Sequence, residues 1–327
     1  MELVCPAGTP ATLRAAVEAG AGAVYCGFRD DTNARNFPGL NFSPAELAEG
    51  VRFAHGHGVR VLVAVNTFAR VGETDRWRHA ADTAVRCGAD AVIAADLAVL
   101  DHMARAHPDV RLHLSVQAAA ATPEAIAFYA ETFGVRRVVL PRVLSVQEIA
   151  ALNHAIAVET EVFVFGGLCV MTEGRCYLSS YATGRSPNLN GVCSPPEFVD
   201  YAEDAQGTTA RLAGFTIDRH APGAPAGYPT LCKGQFSAGG RTSHLFEDPV
   251  SLNAGALLSA LKAAGVTALK IEGRQRGKGY VGEVVRAFRR AVDAVEAGGD
   301  AVDIDRLLAA QSEGGRQTTG AYTKSWR

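Results

Sequence analysis

Over its first 167 residues the chain repeats one rhythm. A short apolar run gives way to a polar or glycine turn, then to a longer stretch with apolar residues at helical spacing. The runs at 2–6, 23–28, 60–67, 91–95, 111–116, 136–140 and 161–166 read as strands. Helical period marks 10–19, 44–55, 75–87, 123–132 and 146–155. Three of these begin with a hydroxyl residue followed by proline, at Thr9-Pro10, Ser43-Pro44 and Thr122-Pro123. The hydroxyl can accept a free N–H of the first turn, and proline's fixed φ suits the first helical position. Gly20, Gly58, Gly88 and Gly134 read as helix stops ahead of the next strand.

The rhythm breaks over 168–248, where Gly, Pro, Ser and Asn interrupt any periodicity. It resumes with an expected helix at 251–264, an eighth strand at 268–272 and a long amphipathic helix at 279–297. Eight strand–helix units predict an α/β fold, a (β/α)8 TIM-like barrel over 1–300 with 168–248 inserted after strand seven. A doubly wound open sheet normally shows fewer units. Residues 301–327 form a polar C-terminal extension. Loops that follow barrel strands build the catalytic face, so the insertion is expected to cap it.

Composition narrows the field. A net charge of −2 offers no dedicated nucleic-acid or polybasic membrane surface. No apolar run approaches the roughly 18 residues that a membrane helix needs. The start, Met1 to Pro6, has no basic segment and runs straight into a strand, so no signal peptide is expected. Seven cysteines in such a chain suit a reducing, cytoplasmic setting, not disulfides.

Four of those cysteines, Cys169, Cys176, Cys193 and Cys232, fall in the insertion. Thiolates gathered outside regular structure commonly hold a metal. Structural zinc favours tight C-x2-C or C-x4-C knuckles, and none occurs here. Widely spaced single cysteines suit an iron–sulfur cluster, where each iron takes one thiolate. Spacing alone leaves a cluster, zinc and unliganded or redox-active thiols open. Cys5, Cys26 and Cys87 sit in apolar contexts and read as small buried hydrophobes. The nine histidines form no ligand-spaced set, and Arg286, Arg289 and Arg290 share one helix face that reads as solvated.

The run EVFVFGGLCVMTEGRCYLS at 161–179 resembles the signature of the collagenase-like peptidases, family 32 of the unclassified peptidases. Glu161, Phe163, Gly166, Leu168, Cys169, Gly174, Cys176, Leu178 and Ser179 carry it, while Gly167 stands where Ser or Ala is usual. Further segments are similar to the ubiquinone-biosynthesis branch of that family: DDTNARNFPGLNF at 30–42, VNTFA at 65–69, VVLPRVLS at 138–145, CYLSSYATGRSPN at 176–188, CSP at 193–195, GYPTLCKG at 227–234, KIEGRQR at 270–276 and QTTGAY at 317–322.

The resemblance implies a 4Fe–4S cluster on Cys169, Cys176, Cys193 and Cys232. It also implies a UbiV-like partner subunit in a heterodimer and a UbiT-like lipid-binding protein. The implied reaction is hydroxylation of a prenylated aromatic quinone precursor without dioxygen, with prephenate as oxygen donor. The chain lacks H-E-x-x-H and G-x-S-x-G, so peptidase chemistry is not expected. Sister branches hydroxylate tRNA or ribosomal RNA, a use that the modest charge disfavours. A non-catalytic, cluster-bearing scaffold or oxygen sensor is the remaining alternative.

Polar residues at strand C-termini complete the candidates. Asn66, Gln117, Arg142, Glu272 and Arg274 lie at or just past apolar runs, and Arg35 follows strand two. Each has an ordinary reading as a loop anchor. Prephenate bears two carboxylates and arginine binds carboxylates bidentately, so Arg142 or Arg274 is the expected clamp. Glu272 is the expected acid/base or arginine orienter, and Arg35, Asn66 and Gln117 are expected substrate contacts.

Overall fold

The computed structural model describes residues 1–174, 176–190, 193–244, 246–299 and 302–324. Arg175 of the signature run, residues 191–192 and 245 of the expected insertion, and residues 301 and 325–327 of the expected extension lie outside the described residues.

Eight parallel strands close into a barrel. In chain order the elements are β1 (Glu2–Pro6), α1 (Pro10–Glu18), β2 (Ala23–Gly27), α2 (Pro44–His55), β3 (Arg60–Val65), α3 (Thr74–Arg86), β4 (Ala91–Ala94), α4 (Leu97–Ala106), β5 (Arg111–Leu114), α5 (Pro123–Phe133), β6 (Arg137–Val139), α6 (Val146–Ala155) and β7 (Glu159–Gly167). The insertion follows with α7 (Leu178–Thr183), α8 (Pro187–Asn190), β8 (Val199–Asp204), β9 (Gly207–Leu212), β10 (Phe215–His220), β11 (Gln235–Ala238) and β12 (Arg241–His244). Then come β13 (Ser251–Asn253), α9 (Leu258–Ala263), β14 (Ala268–Ile271), α10 (Lys278–Glu296), α11 (Asp305–Leu308) and β15 (Gln317–Thr318). Strands β1 to β7 pair in sequence, and β14 lies between β7 and β1 and closes the ring.

The expected caps form. Thr9 and Ser43 each make a reciprocal capping box with the side chain three residues on, and Thr122 accepts the Ala125 N–H at 3.3 Å. The four stop glycines all adopt positive φ. Helix α4 was not among the expected helices. Its apolar start follows β4 with only Ala95 and the capping Asp96 between them, which hides the change of period.

Two expectations change. The expected helix at 251–264 is a short strand, β13, followed by a 3-10 turn at Gly255–Leu257 and α9. Backbone pairing of β13 with the extended end of β7 overrides helical propensity there. Asn253, buried, then donates to both Asp305 and Gln317 at 2.8 Å. Nor is the insertion irregular throughout: β8, β9 and β10 form an antiparallel sheet, and β11 pairs with β12 in a hairpin.

Strand alternation sorts the barrel into two faces. Leu3, Cys5, Val24, Cys26, Val61, Val63 and Val92 point outward into the main core, packed against the helices. Cys5 and Cys26 are thus fully buried hydrophobes, while Cys87 at the end of α3 is half-buried. Inside, Val4, Tyr25, Leu62 and Ile93 form a smaller apolar cluster. Below it lies a charged floor. Arg137 reaches Glu2 at 2.6 Å, Glu159 at 2.7 Å and Glu161 at 3.3 Å, and Lys270 donates to Glu161 at 2.6 Å. No helix among the described residues is long and apolar enough to cross a membrane.

Candidate functional site: an arginine-lined cleft under a cysteine loop

The loops after the barrel strands enclose a cleft. All six polar residues expected at strand ends line it: Arg35, Asn66, Gln117, Arg142, Glu272 and Arg274.

Glu272, just past β14, is the hub. Arg35 donates to its Oε1 at 3.1 Å, and Arg142 donates to Oε2. Burial acts to raise its pKa, but the two guanidiniums outweigh this and hold it below the usual carboxylate range. The space it occupies is kept by two glycines ending β7. A Cβ on Gly166, whose φ is +109°, would fall 2.5 Å from the Glu272 carbonyl oxygen, and one on Gly167 would lie 3.0 Å from Glu272 Oε2. Gly166 of the signature and the Gly167 that follows it are therefore a seat for this carboxylate.

Arg142 is buried, with its guanidinium 3.5 Å from the Phe163 ring centroid. It also donates to Glu173, a residue the sequence reading missed. Glu173 lies between Cys169 and Cys176, so the cysteine loop is tied directly to the barrel mouth. Burial pushes the Glu173 carboxyl up despite Arg142, and its Oε2 has no partner among the described residues. Gly174 fits against the mouth closely: a Cβ there would meet the Gln117 carbonyl oxygen at 2.1 Å. A carboxylate beside a signature glycine was the available hint.

Arg274 differs from the other two arginines. It is 5% exposed, donates to Asn33 Oδ1 at 2.8 Å and faces the Tyr25 ring, yet among the described residues it has no ion-pair partner. Burial lowers its pKa to about 10. A buried cation that faces a cleft and has no carboxylate paired with it is matched to an anionic ligand.

The remaining candidates divide. Asn66 is an anchor, since its Oδ1 accepts the Ala34 N–H at 3.0 Å and its Nδ2 donates to Ser115 Oγ at 3.1 Å. Gln117 keeps its Oε1 buried and without a partner among the described residues. Lys270 also lines the cleft and was missed, although it sits two residues before Glu272 on the same face of one strand. Its ammonium lies 3.7 Å from the Tyr25 ring centroid, and burial lowers its pKa.

The four loop cysteines gather above this cleft as free, half-buried thiols. Cys232 lies in a single turn at Leu231–Lys233, and Asn188 Nδ2 donates to the Cys176 carbonyl at 3.0 Å. Ser194 donates to the Pro229 carbonyl, and the Tyr228 hydroxyl donates to the Ser194 carbonyl at 2.9 Å, which draws Cys193 toward Cys232. Burial pushes the Cys169, Cys193 and Cys232 thiols up, Cys232 to about 12. Each is raised further by neighbouring thiols: Cys193 and Cys232 act on Cys169, Cys176 acts on Cys193, and both Cys193 and Cys176 act on Cys232. Arg142 pulls Cys169 the other way, and Arg35 does the same for Cys193. A bound metal reverses this logic, because coordinated thiols ionise.

Elsewhere, one side-chain trio with ligand atoms within 4.8 Å of one another occurs among the described residues: Asp82, His102 and His107. The sequence shows no ligand-spaced histidine set, and the fold brings His102 and His107 to Asp82 from 20 and 25 residues away. On α10, Arg286 and Arg290 are exposed, and Arg289 is paired with Asp293 at 2.6 Å.

A parallel barrel with cysteines over a charged mouth defines the class, and comparison with known proteins gives the family. Residues 8–324 match peptidase family U32, and the chain belongs to it. It is 30% identical over 293 residues to the tRNA hydroxylation protein P1 of Bacillus subtilis (strain 168), covering 90% of this chain and 63% of that protein. It is 30% identical over 316 residues to the tRNA hydroxylation protein P of Escherichia coli (strain K12), covering 91% and 69%. A 23S rRNA 5-hydroxycytidine synthase of Escherichia coli (strain K12) is 31% identical over 299 residues, covering 90% of this chain and 40% of that protein. The chain thus spans less than two thirds of the Bacillus relative's length and well under half of the synthase's.

Proposed function

We propose that the chain is the iron–sulfur subunit of an oxygen-independent hydroxylase. Cys169, Cys176, Cys193 and Cys232 would hold a 4Fe–4S cluster, and the arginine-lined cleft would take an anionic oxygen donor. The observation that carries this reading is Arg274, a buried cation facing the cleft with no ion-pair partner among the described residues. The names of the relatives support hydroxylation as the reaction class.

The cysteines suit a cluster better than zinc. Tetrahedral zinc with bonds of about 2.3 Å sets its sulfurs about 3.8 Å apart. Among the described residues no three cysteine sulfurs approach within 4.8 Å of one another, although their charges act on each other. A cubane core holds its thiolates further apart because each binds a different iron. When bound, the cluster supplies one-electron chemistry next to the cleft.

The chain's own residues then have separable tasks. Arg274 and Arg142 bind the carboxylates of a dicarboxylate such as prephenate, with Arg35 beside them. Glu272 stays ionised and orients Arg35 and Arg142. Glu173, whose Oε2 has no partner among the described residues, is the group placed to take up a proton there. Lys270 and Tyr25 close the base of the cleft and exclude water.

For the substrate that is hydroxylated, the motifs quoted above resemble those of UbiU, the ubiquinone-biosynthesis member of the family. The proposed substrate is therefore a prenylated aromatic quinone precursor, presented by a UbiT-like lipid-binding protein to a heterodimer with a UbiV-like subunit. Hydroxylation of tRNA is the second reading, favoured by the relatives' names. The net charge of −2 argues against it, since phosphate contacts need clustered Lys and Arg. Peptidase chemistry has little to use here. Among the described residues lining the cleft there is no histidine or cysteine, and Ser115 Oγ is engaged by Asn66 and the Gln117 N–H.

The test is an anoxic assay with the partner subunit and prephenate, offering a prenylated phenol and tRNA in parallel. Hydroxylation of the phenol, lost in Arg274→Ala, supports the proposal. Modification of tRNA alone would move the chain to the second reading, and full activity in Arg274→Ala would remove the clamp.

A further inference from the structure

On the outside of the barrel, far along the chain from the cysteine loop, α3 and α4 bring two imidazoles onto one carboxylate. His102 Nε2 lies 2.6 Å from Asp82 Oδ1, and His107 Nε2 lies 2.7 Å from the same oxygen. The rings stand nearly at right angles, 78° apart, with centroids separated by 5.9 Å. Asp82 lies within α3 and His102 within α4, and His107 is the residue that ends α4, with non-helical backbone angles of −137° and 54°.

Two independent ion pairs would be free to use both oxygens of the carboxylate. Here both imidazoles choose Oδ1 and both present Nε2, so three potential ligand atoms lie within 4.8 Å of one another. We infer that Asp82, His102 and His107 form a binding site for a first-row divalent cation, Zn2+ foremost, that staples α3 to α4.

The donor set fits that class. Imidazole nitrogen with one carboxylate oxygen suits zinc and its neighbours, whereas magnesium and calcium prefer all-oxygen shells. Zinc bonds of about 2.0–2.1 Å place tetrahedral donors about 3.3 Å apart. The two nitrogen–oxygen distances therefore open by about 0.6 Å on loading, a change that side-chain rotation supplies. The three side chains are 22–30% exposed, so water can complete the coordination. Loading requires each histidine to bind as neutral imidazole, with the Nε2 proton displaced to solvent or to Nδ1. The site is independent of the proposed hydroxylase reading, because it shares no residue with the cleft or with the cysteine loop.

Titration of the full-length chain with Co2+, followed by absorption, tests this. Nitrogen and oxygen ligands give weak visible bands, while cysteine thiolates give intense near-ultraviolet charge-transfer bands, so the two sites are read separately in one sample. The expected result is weak bands that saturate near one Co2+ per chain, vanish on adding Zn2+, and are absent from His102→Gln and Asp82→Asn. His107→Gln gives a third reporter should either variant fail to fold by circular dichroism. Bands of unchanged intensity in the folded variants, or a titration that shows thiolate bands alone, would overturn the assignment.

Discussion

The floor and the mouth of the barrel are both built from buried charge, and they balance it differently. In the floor, every cation has an acid: Arg137 meets Glu2, Glu159 and Glu161, and Lys270 meets Glu161. In the mouth, Arg35 and Arg142 share two glutamates, one of which has its carboxyl pushed up, and a third arginine, Arg274, has neither within ion-pairing distance. A balanced network costs desolvation and returns it within the protein, so it needs nothing from outside. An unbalanced one is incomplete until something anionic arrives. Buried charge at the strand N-termini thus reads as architecture, and the same residue types at the C-termini read as a site.

The comparison can be broken first at the floor. Replacing Arg137 by Ala leaves the fully buried Glu161 with Lys270 alone, and should cost about 3–5 kcal/mol of stability, as removing one partner of a buried network does. Urea unfolding measures it, and a loss under about 1 kcal/mol would make the floor no different from a surface pair. At the mouth, Arg274→Ala should leave stability nearly unchanged while weakening binding of a dicarboxylate by tenfold or more, about 1.4 kcal/mol. Calorimetric titration of the purified chain with prephenate reads this without turnover. Equal affinity in the variant would contradict the contrast drawn here.

Two smaller effects sharpen it. Glu173→Gln removes a negative charge from the mouth and frees Arg142, so anion binding should tighten by a few-fold, about 0.5–1 kcal/mol. In the unmodified chain, binding should likewise tighten as pH falls and Glu173 takes up its proton, and Glu173→Gln should flatten that dependence. Within the barrel, His113 is buried and held well below its ordinary pKa by burial and by Arg137 and Arg111. The unfolded chain therefore binds a proton near pH 6.5 that the folded chain refuses, and stability should fall as pH drops below about 6.5. His113→Leu should remove part of that slope in unfolding curves recorded between pH 7 and 5.

Much of this was legible in the sequence for identifiable reasons. Strand and helix periods alternate through most of 1–167, where hydroxyl-proline starts at three helices and glycine stops after four set the phase of those units. Arg142, Glu272 and Arg274 were visible because an apolar run that ends in a charged residue marks the open end of a barrel strand. Glu173 was hidden because nothing in a loop's sequence says which residue will fold back over the mouth. Lys270 was hidden by its apolar neighbours, although the two-residue alternation with Glu272 places it on the inner face. The strands β8 to β12 were obscured by polar composition, but Gly239-Gly240, both at positive φ, is the kind of two-residue turn that joins hairpin strands. The strand β13 could not be read locally, because its partner is the end of β7, more than 80 residues earlier.

The proposed cluster is the part of the account that most needs a direct measurement. Iron and acid-labile sulfide should be determined on protein purified without oxygen, with Cys176→Ala alongside. The account predicts about four of each per chain in the unmodified protein and a loss of both in the variant. Zinc without sulfide, or iron and sulfide retained in Cys176→Ala, would contradict it.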